Sequence, residues 1–246
     1  MTDTLPLKLP NLPAELSETL TVLRGDLLEA GGSNVSSIIL YGGLARGRYR
    51  AGVSNVNLLL LLADPSIRAL AKLAPTLHSG WRSVRLEPYI LGAAELARTA
   101  EAFPTRFWDI QHNHVLLAGD DPFPSLAISP RAIRLRIEQE LRNLAIRLRR
   151  RFVLLQDDRA AQQRALSGVV VPLAVSLAAL LELSGKSTKA VFADAANAFS
   201  LDSEALAYLK TLRQGGSAGA QPEAMFDRVL ATILRTADLA AVEEAR

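Results

Sequence analysis

IILYGGLARGRYRAGVSNVNLLLLL, residues 38–62, decides the fold. The stretch opens on branched and aromatic residues that favour an extended chain. Its strand is expected from Val35 to Tyr41 and stops at Gly42-Gly43. A short helical piece from Leu44 to Arg48 is expected next, then a turn at Ala51-Gly52-Val53-Ser54, then a buried strand from Val56 to Leu62. Strand, glycine pair, short helix, loop and strand follow in order. A glycine pair at the end of a strand lets backbone amides come close to a phosphate.

Upstream, leucines at 12, 16, 20, 23 and 27 mark one face of a helix over Leu12–Ala30, which Gly31-Gly32 ends. Downstream, Asp64-Pro65-Ser66 opens a second helix with Ile67, Leu70, Leu73 and Leu77 on one face. A strand is expected over Trp81–Leu91, with Pro88 pointing to an edge, a bulge or a strand end. A helix over Ala93–Ala100, an interruption at Phe103-Pro104, a helical turn at Phe107–His112 and a short strand at Val115–Leu117 complete about four strands.

Strand signals vanish after Ser129, an N-cap followed by Pro130 at the first helical position. Apolar residues at 133, 137, 141, 144, 148, 152 and 155 keep a three-four spacing. Further helices are expected over Arg159–Leu183, kinked at Pro172, then Lys186–Phe199, Ser203–Arg213 and Pro222–Ala245, with Gly215, Gly216 and Gly219 in the last loop. The chain thus reads as an α/β domain over residues 1–127, built on a mixed sheet, followed by an all-helical bundle over 128–246.

Composition excludes several chemistries. Cysteine is absent, so no disulfide, thiol nucleophile or cysteine zinc site can form. The histidines are three, His78, His112 and His114, in two separate segments. Hydrophobic residues at 49% and charged ones at 22% describe a folded chain. Residues Ala165–Leu181 carry no charge but fall short of a usual span and contain Pro172, so they read as a buried helix. The first residues lack the basic and apolar regions of a signal peptide. A cytoplasmic setting without membrane association is expected. Of the 28 basic residues, 23 are arginine, whose fork matches phosphate oxygens. The run Arg147, Arg149, Arg150 and Arg151 lacks interleaved aromatics and reads as a solvated helix face, so nucleic-acid binding is not expected.

Residues 38–62 resemble the signature of the nucleotidyltransferase superfamily that includes DNA polymerase beta and the kanamycin and streptomycin nucleotidyltransferases. In that family the first strand ends in Gly-Ser, a short helix often reads Ala-Arg-Gly, and the second strand presents two carboxylates one residue apart. Here the corresponding residues are Gly42-Gly43, Ala45-Arg46-Gly47, and Asn55 with Asn57. The phrase HVLLAGDDPFPSL, residues 114–126, also looks like the bacterial members, which continue into a helical bundle. The resemblance implies the fold, and with it magnesium-assisted transfer of a nucleoside monophosphate.

The departures from the pattern concern that chemistry. Asn55 and Asn57 carry no charge, and no Asp or Glu occurs between Glu29 and Asp64, so a slip of the motif restores nothing. Magnesium prefers carboxylate and phosphate oxygens. The same interval holds Arg46, Arg48 and Arg50. Glu87 matches the family's third carboxylate and could accept from Arg85 or Arg46. Lost ligands on a retained fold are the pattern of a pseudoenzyme. The expected site is Gly42, Gly43, Arg46, Asn55 and Asn57, binding a nucleotide or phosphate with no metal and no other cofactor. The alternative is an active enzyme that uses Mg2+ and a nucleoside triphosphate, with Glu87 as base or ligand and a small-molecule hydroxyl as acceptor. A protein partner for the helical half is a further option.

Three other groups invite site readings. His112 and His114 with Asp109 would make a weak metal site, Asp120-Asp121 reads as turn chemistry, and Ser184-Gly185-Lys186 as a helix stop rather than a phosphate loop.

Overall fold

The computed structural model describes residues 13–213 and 222–241. The expected glycine loop at 215–219, the first helix's Leu12 and the last helix's end beyond Ala241 lie outside them. The chain divides into two compact units, Met1–Ala127 and Ile128–Arg246.

The first unit is a mixed α/β structure. Strands β1 (Val35–Tyr41), β2 (Val56–Leu62), β3 (Leu86–Gly92) and β4 (His114–Gly119) form one sheet in the order β3-β2-β1-β4. β1 runs antiparallel to both β2 and β4, while β2 and β3 are parallel. Helices α1 (Ala14–Gly31) and α2 (Ile67–Val84) supply Leu16, Leu20, Leu23, Leu27, Leu73 and Leu77 to a core shared with Ile38, Leu40, Leu58, Leu60 and Leu86. Alternate residues of a strand face opposite ways, so Ile39, Tyr41, Asn57, Glu87 and Tyr89 belong to the other face. Phe107 of α4 (Pro104–His112) packs its ring 6.0 Å from that of Tyr89 there. Pro104 starts α4 immediately after Phe103 caps α3 (Leu96–Ala102).

Several expected elements move. Residues 44–48 form no helix: Gly42 and Gly47 adopt positive φ, and Arg46, Gly47 and Arg48 N–H groups close turns onto Gly42, Leu44 and Gly43 carbonyls. The one i→i−4 bond, from Arg46 N–H to Gly42, is closed at once by the left-handed Gly47, so the segment is a single turn and does not extend into a helix. Residues 81–84 belong to α2 rather than to a strand, because Leu73, Leu77, Gly80 and Val84 continue its core stripe. Gly80 lets the helix pass close there, since a β-carbon would stand 2.9 Å from Leu86 Cδ2 and force that side chain to shift. The strand then starts at Leu86 and lies at the sheet edge, where Pro88 is tolerated. A 3-10 turn over Ala93–Glu95 precedes α3.

The second unit is all helical among its described residues. α5 (Pro130–Leu154) starts where Ser129 Oγ accepts from Ala132 N. It buries Ile133, Ile137, Leu141, Leu144 and Leu148, and α10 (Pro222–Ala241) buries Val229, Ile233, Ala237 and Ala240. The expected long helix over 159–183 is two, α6 (Arg159–Ser167) and α7 (Val170–Leu183). Pro172 has no N–H for the Gly168 carbonyl, and the chain breaks just there instead of kinking at the proline. By length and composition this segment could cross a membrane, but half of its most apolar window is buried within the protein. α8 (Val191–Phe199) begins five residues later than expected, and α9 spans Ser203–Arg213.

Asp202 joins these helices. Its carboxylate caps α9 by accepting from Glu204 N and Ala205 N, both at 3.0 Å, and takes a two-pronged pair from Arg228 of α10 at 2.7 Å each. The Arg228 guanidinium holds the Asp202 carboxyl below its usual range, against an opposing effect of burial. A lowered folded-state pKa means stability present above the unfolded value of about 3.9 and lost as pH falls through the folded value. Wild type is therefore expected to lose more stability than Asp202→Asn between about pH 5 and about pH 2. Urea melts at each pH check this; equal acid losses for both proteins would refute it.

A second expectation concerns Gly119. Its φ is +80°, and a β-carbon would stand 1.9 Å from the Ser36 carbonyl oxygen across β1. Both the conformation and the space require glycine, so Gly119→Ala should cost about 2 kcal/mol or more and lower Tm by several degrees.

Candidate functional site

The candidate site lies where β1 ends and β2 and β3 begin. Tyr41, the last residue of β1, stands opposite Asn57 near the start of β2, and Asn57 stands beside Glu87 of β3. A one-residue change of register would send Asn57 into the leucine core. Gly42 makes the close approach workable: a β-carbon there would fall 2.6 Å from Asn57 Nδ2. Gly43 is different. The nearest atom to a β-carbon at 43 is the Arg48 carbonyl oxygen at 3.9 Å, so the serine of the family pattern would fit and its absence is no steric necessity.

Asn55 Nδ2 donates to Glu87 Oε1 at 3.4 Å. Asn55, Asn57, Glu87 and Gly42 are thus gathered at one end of the sheet. Two expected contacts of Glu87 take another form. Arg85 donates to the Gly52 carbonyl at 3.0 Å, and Arg46 pairs with Asp109 of α4.

Four residues not weighed as part of this site from the sequence complete it. Asp109 is one, because it holds Arg46 with about a quarter of each side chain exposed. Arg106, one turn before it on α4, lies over the Tyr89 ring at 5.1 Å. Tyr41 is the fourth: burial raises its phenol above the usual value, with Arg106 opposing and Tyr89 and Glu87 adding to the rise. Tyr41 therefore stays a neutral hydrogen-bond donor at physiological pH. The available signal was spacing. Arg106 and Asp109 are three apart on a helix and share a face, and Tyr41 and Ile39 are two apart on a strand.

Within the turn, no backbone bond among the described residues uses the amides of Gly43, Leu44 or Ala45. These amides remain available to an anion, but without a helix at 44–48 they carry no helix dipole.

The other candidate groups have structural roles. His112 Nδ1 lies 2.8 Å from the Trp108 carbonyl, and His114 Nε2 lies 3.2 Å from Asp121 Oδ2. Asp121 Oδ1 accepts from Phe123 N at 3.0 Å, an Asx turn. Gly185 ends α7 with φ +64°, while Lys186 N bonds to Leu181 O and Gly185 N to Glu182 O, the paired bonds of a Schellman motif. That geometry leaves no phosphate loop at Lys186.

No protein-family model matches this chain, and no curated protein matches it. Among solved structures, the chain is similar to the crystal structure of spectinomycin adenyltransferase AAD(9) from Enterococcus faecialis with ATP and spectinomycin. The TM-score is 0.52 at 12% identity, and the alignment covers 91% of this chain and 98% of that one. The chain has a nucleotidyltransferase-type fold. The coverage takes in residues of both units, the sheet and the helices that follow it.

The magnesium that the fold implies does not suit this donor set. Among the described residues, Glu87 is the one carboxylate that strand register or a hydrogen bond sets beside Asn55 and Asn57, and Asn55 points its amino group at it. Among the described residues no three His, Cys, Asp or Glu gather in a way that could hold a metal. Calorimetry with Mg2+ is expected to show no site tighter than roughly 1 mM, the weak end for oxygen-ligated divalent ions. The double substitution Asn55→Asp with Asn57→Asp should create a site detectable in the same titration. A tight wild-type site would contradict this account of the donors.

Proposed function

We propose that this protein is a nucleotidyltransferase-like pseudoenzyme, which binds a nucleotide or another phosphate-rich anion without metal and does not transfer a nucleoside monophosphate. One observation carries the reading: Asn57 near the start of β2 and Asn55 just before that strand stand beside Gly42 and Glu87, at the positions that match the family's two carboxylates. In two-metal transfer the ions join the substrate phosphates and neutralise developing charge. An amide supplies neither the charge nor the affinity to hold them.

Arginine can supply part of the missing positive charge. Arg46 and Arg106 stand at the site, and Arg48 and Arg50 are exposed beside it. Free amides of Gly43, Leu44 and Ala45 add donors. A guanidinium binds phosphate oxygens through paired N–H groups, but it cannot reproduce the ordered bridge between a nucleophile and an α-phosphate. Binding without transfer follows. A cytoplasmic setting, with its supply of nucleotides, belongs to the same proposal. So does a protein partner for the helical unit, whose exposed Ile146, Val153 and Leu154 on α5 would suit one.

The test is titration of ATP and GTP with magnesium and with EDTA. Equal affinity under both conditions is expected, with Arg46→Ala weaker by about ten-fold to a hundred-fold, the range for a bond to a charged group. Binding that requires magnesium, or triphosphate turnover abolished by Glu87→Gln, would instead support an active enzyme with Glu87 as base or ligand.

A further inference from the structure

Arg46 is the residue expected to hold the anion, yet its guanidinium already holds an anion of the protein's own. Asp109, from α4, meets Arg46, from the turn after β1, with side-chain exposures of 29% and 25%. Both residues belong to the first unit, far apart in sequence and joined by this contact. We propose that Asp109 is an internal competitor. Its carboxylate occupies the Arg46 guanidinium when the cleft is empty, and a phosphate must displace it to bind. This inference rests on the proposed anion site and concerns how that site is regulated.

Three features support displacement. Asp109 is partly exposed, so a released carboxylate can turn to water at little cost. The α4 backbone at this point is held independently of the carboxylate, because the Asp109 carbonyl accepts from Asn113 Nδ2 at 3.2 Å. Arg106, one helical turn away, sits on the Tyr89 ring, and no carboxylate ion pair holds it among the described contacts. An arriving phosphate therefore meets one cation before it competes for the other. A polyanion gains most, because it can engage Arg106 first and exchange with Asp109 second. An anion with a single charge, such as acetate, can take Arg106 or exchange with Asp109, but it has no second charge with which to hold both guanidiniums. The site thereby favours di- and triphosphates over carboxylates.

A double-mutant cycle with ATP and inorganic triphosphate as probes, in EDTA, tests the inference. Asp109→Asn keeps the side-chain shape and removes the competing charge. It is expected to bind both probes about five-fold tighter than wild type, the effect of losing a partly exposed ion pair of about 1 kcal/mol. In the Arg46→Ala background the same substitution should change affinity by less than about two-fold, because Asp109 then has nothing to withhold. Circular dichroism and Tm of each variant confirm the fold. Equal tightening in both backgrounds would mean that Asp109 acts by general repulsion, and would overturn the inference. Weaker binding by Asp109→Asn would make Asp109 a residue that positions Arg46 for the ligand, which also overturns it. Metal-free binding that Arg46→Ala weakens and Asp109→Asn leaves unchanged overturns this inference alone. Absence of binding by all four proteins overturns both it and the anion site on which it rests.

Discussion

The antiparallel register of β1 against β2 is the constraint on which the site depends. Leu58 to Leu62 are all buried, and so are Ile38, Ile39 and Leu40 opposite them. Each fully buried leucine is worth roughly 1.5–3 kcal/mol relative to exposure. A slip by one residue would exchange the faces of the whole strand and push the Asn57 amide among apolar groups, where an unpaired amide costs about 1–3 kcal/mol. The leucine run thus holds Asn57 on the open side, opposite Tyr41 and beside Glu87. Gly42 follows from the same register, because Asn57 Nδ2 fills the space of any β-carbon there.

That framework also explains how asparagines can occupy the site without a metal to hold it together. Three carboxylates at residues 55, 57 and 87 would repel one another unless a cation lay among them. An asparagine can donate as well as accept, and Asn55 donates to Glu87. One hydrogen bond thus ties Asn55 to Glu87 in the absence of any ion. The same exchange of Asp for Asn that removes the affinity for magnesium removes the structural need for it.

How much of this was legible in the sequence depends on whether the deciding contacts are local. β1 and β2 could be bounded to the residue because branched runs are closed by Gly42-Gly43 at one end and framed by polar residues at the other. Ser129-Pro130 announced α5 by local cap chemistry, and α9 likewise begins beside its cap at Asp202. Where a residue's role came from packing, the local signal misled. Trp81 to Val84 has the composition of a strand, but Gly80 lets α2 run close over Leu86 and Leu23, and the helix continues through it. The turn at 44–48 looked helical because its left-handed glycines cannot be recognised as such from composition alone. The nearness of Asn57, Gly42 and Glu87 follows from strand register, and Asn55 joins them through its bond to Glu87. The Arg46–Asp109 pair was not, since it depends on where α4 lies against the turn, and no spacing in the chain specifies that.

The balance of charge around the cleft argues in the same direction as the donor chemistry. Four arginines, 46, 48, 50 and 106, stand on or beside the turn and α4, against two carboxylates, Glu87 and Asp109. With aspartates at 55 and 57 the carboxylates would equal the arginines in number, and the focused field at the strand ends would favour a divalent cation. With asparagines the balance moves from even to a surplus of two positive charges. A positive cleft repels magnesium and attracts phosphate, so the two neutral side chains do more than delete ligands. Under the proposed reading they change which class of ion this end of the sheet would hold. Asp109 then has a reason to be where it is: in a site with surplus positive charge, a nearby carboxylate limits the repulsion among guanidiniums while the cleft is empty, at the cost of some affinity when an anion arrives.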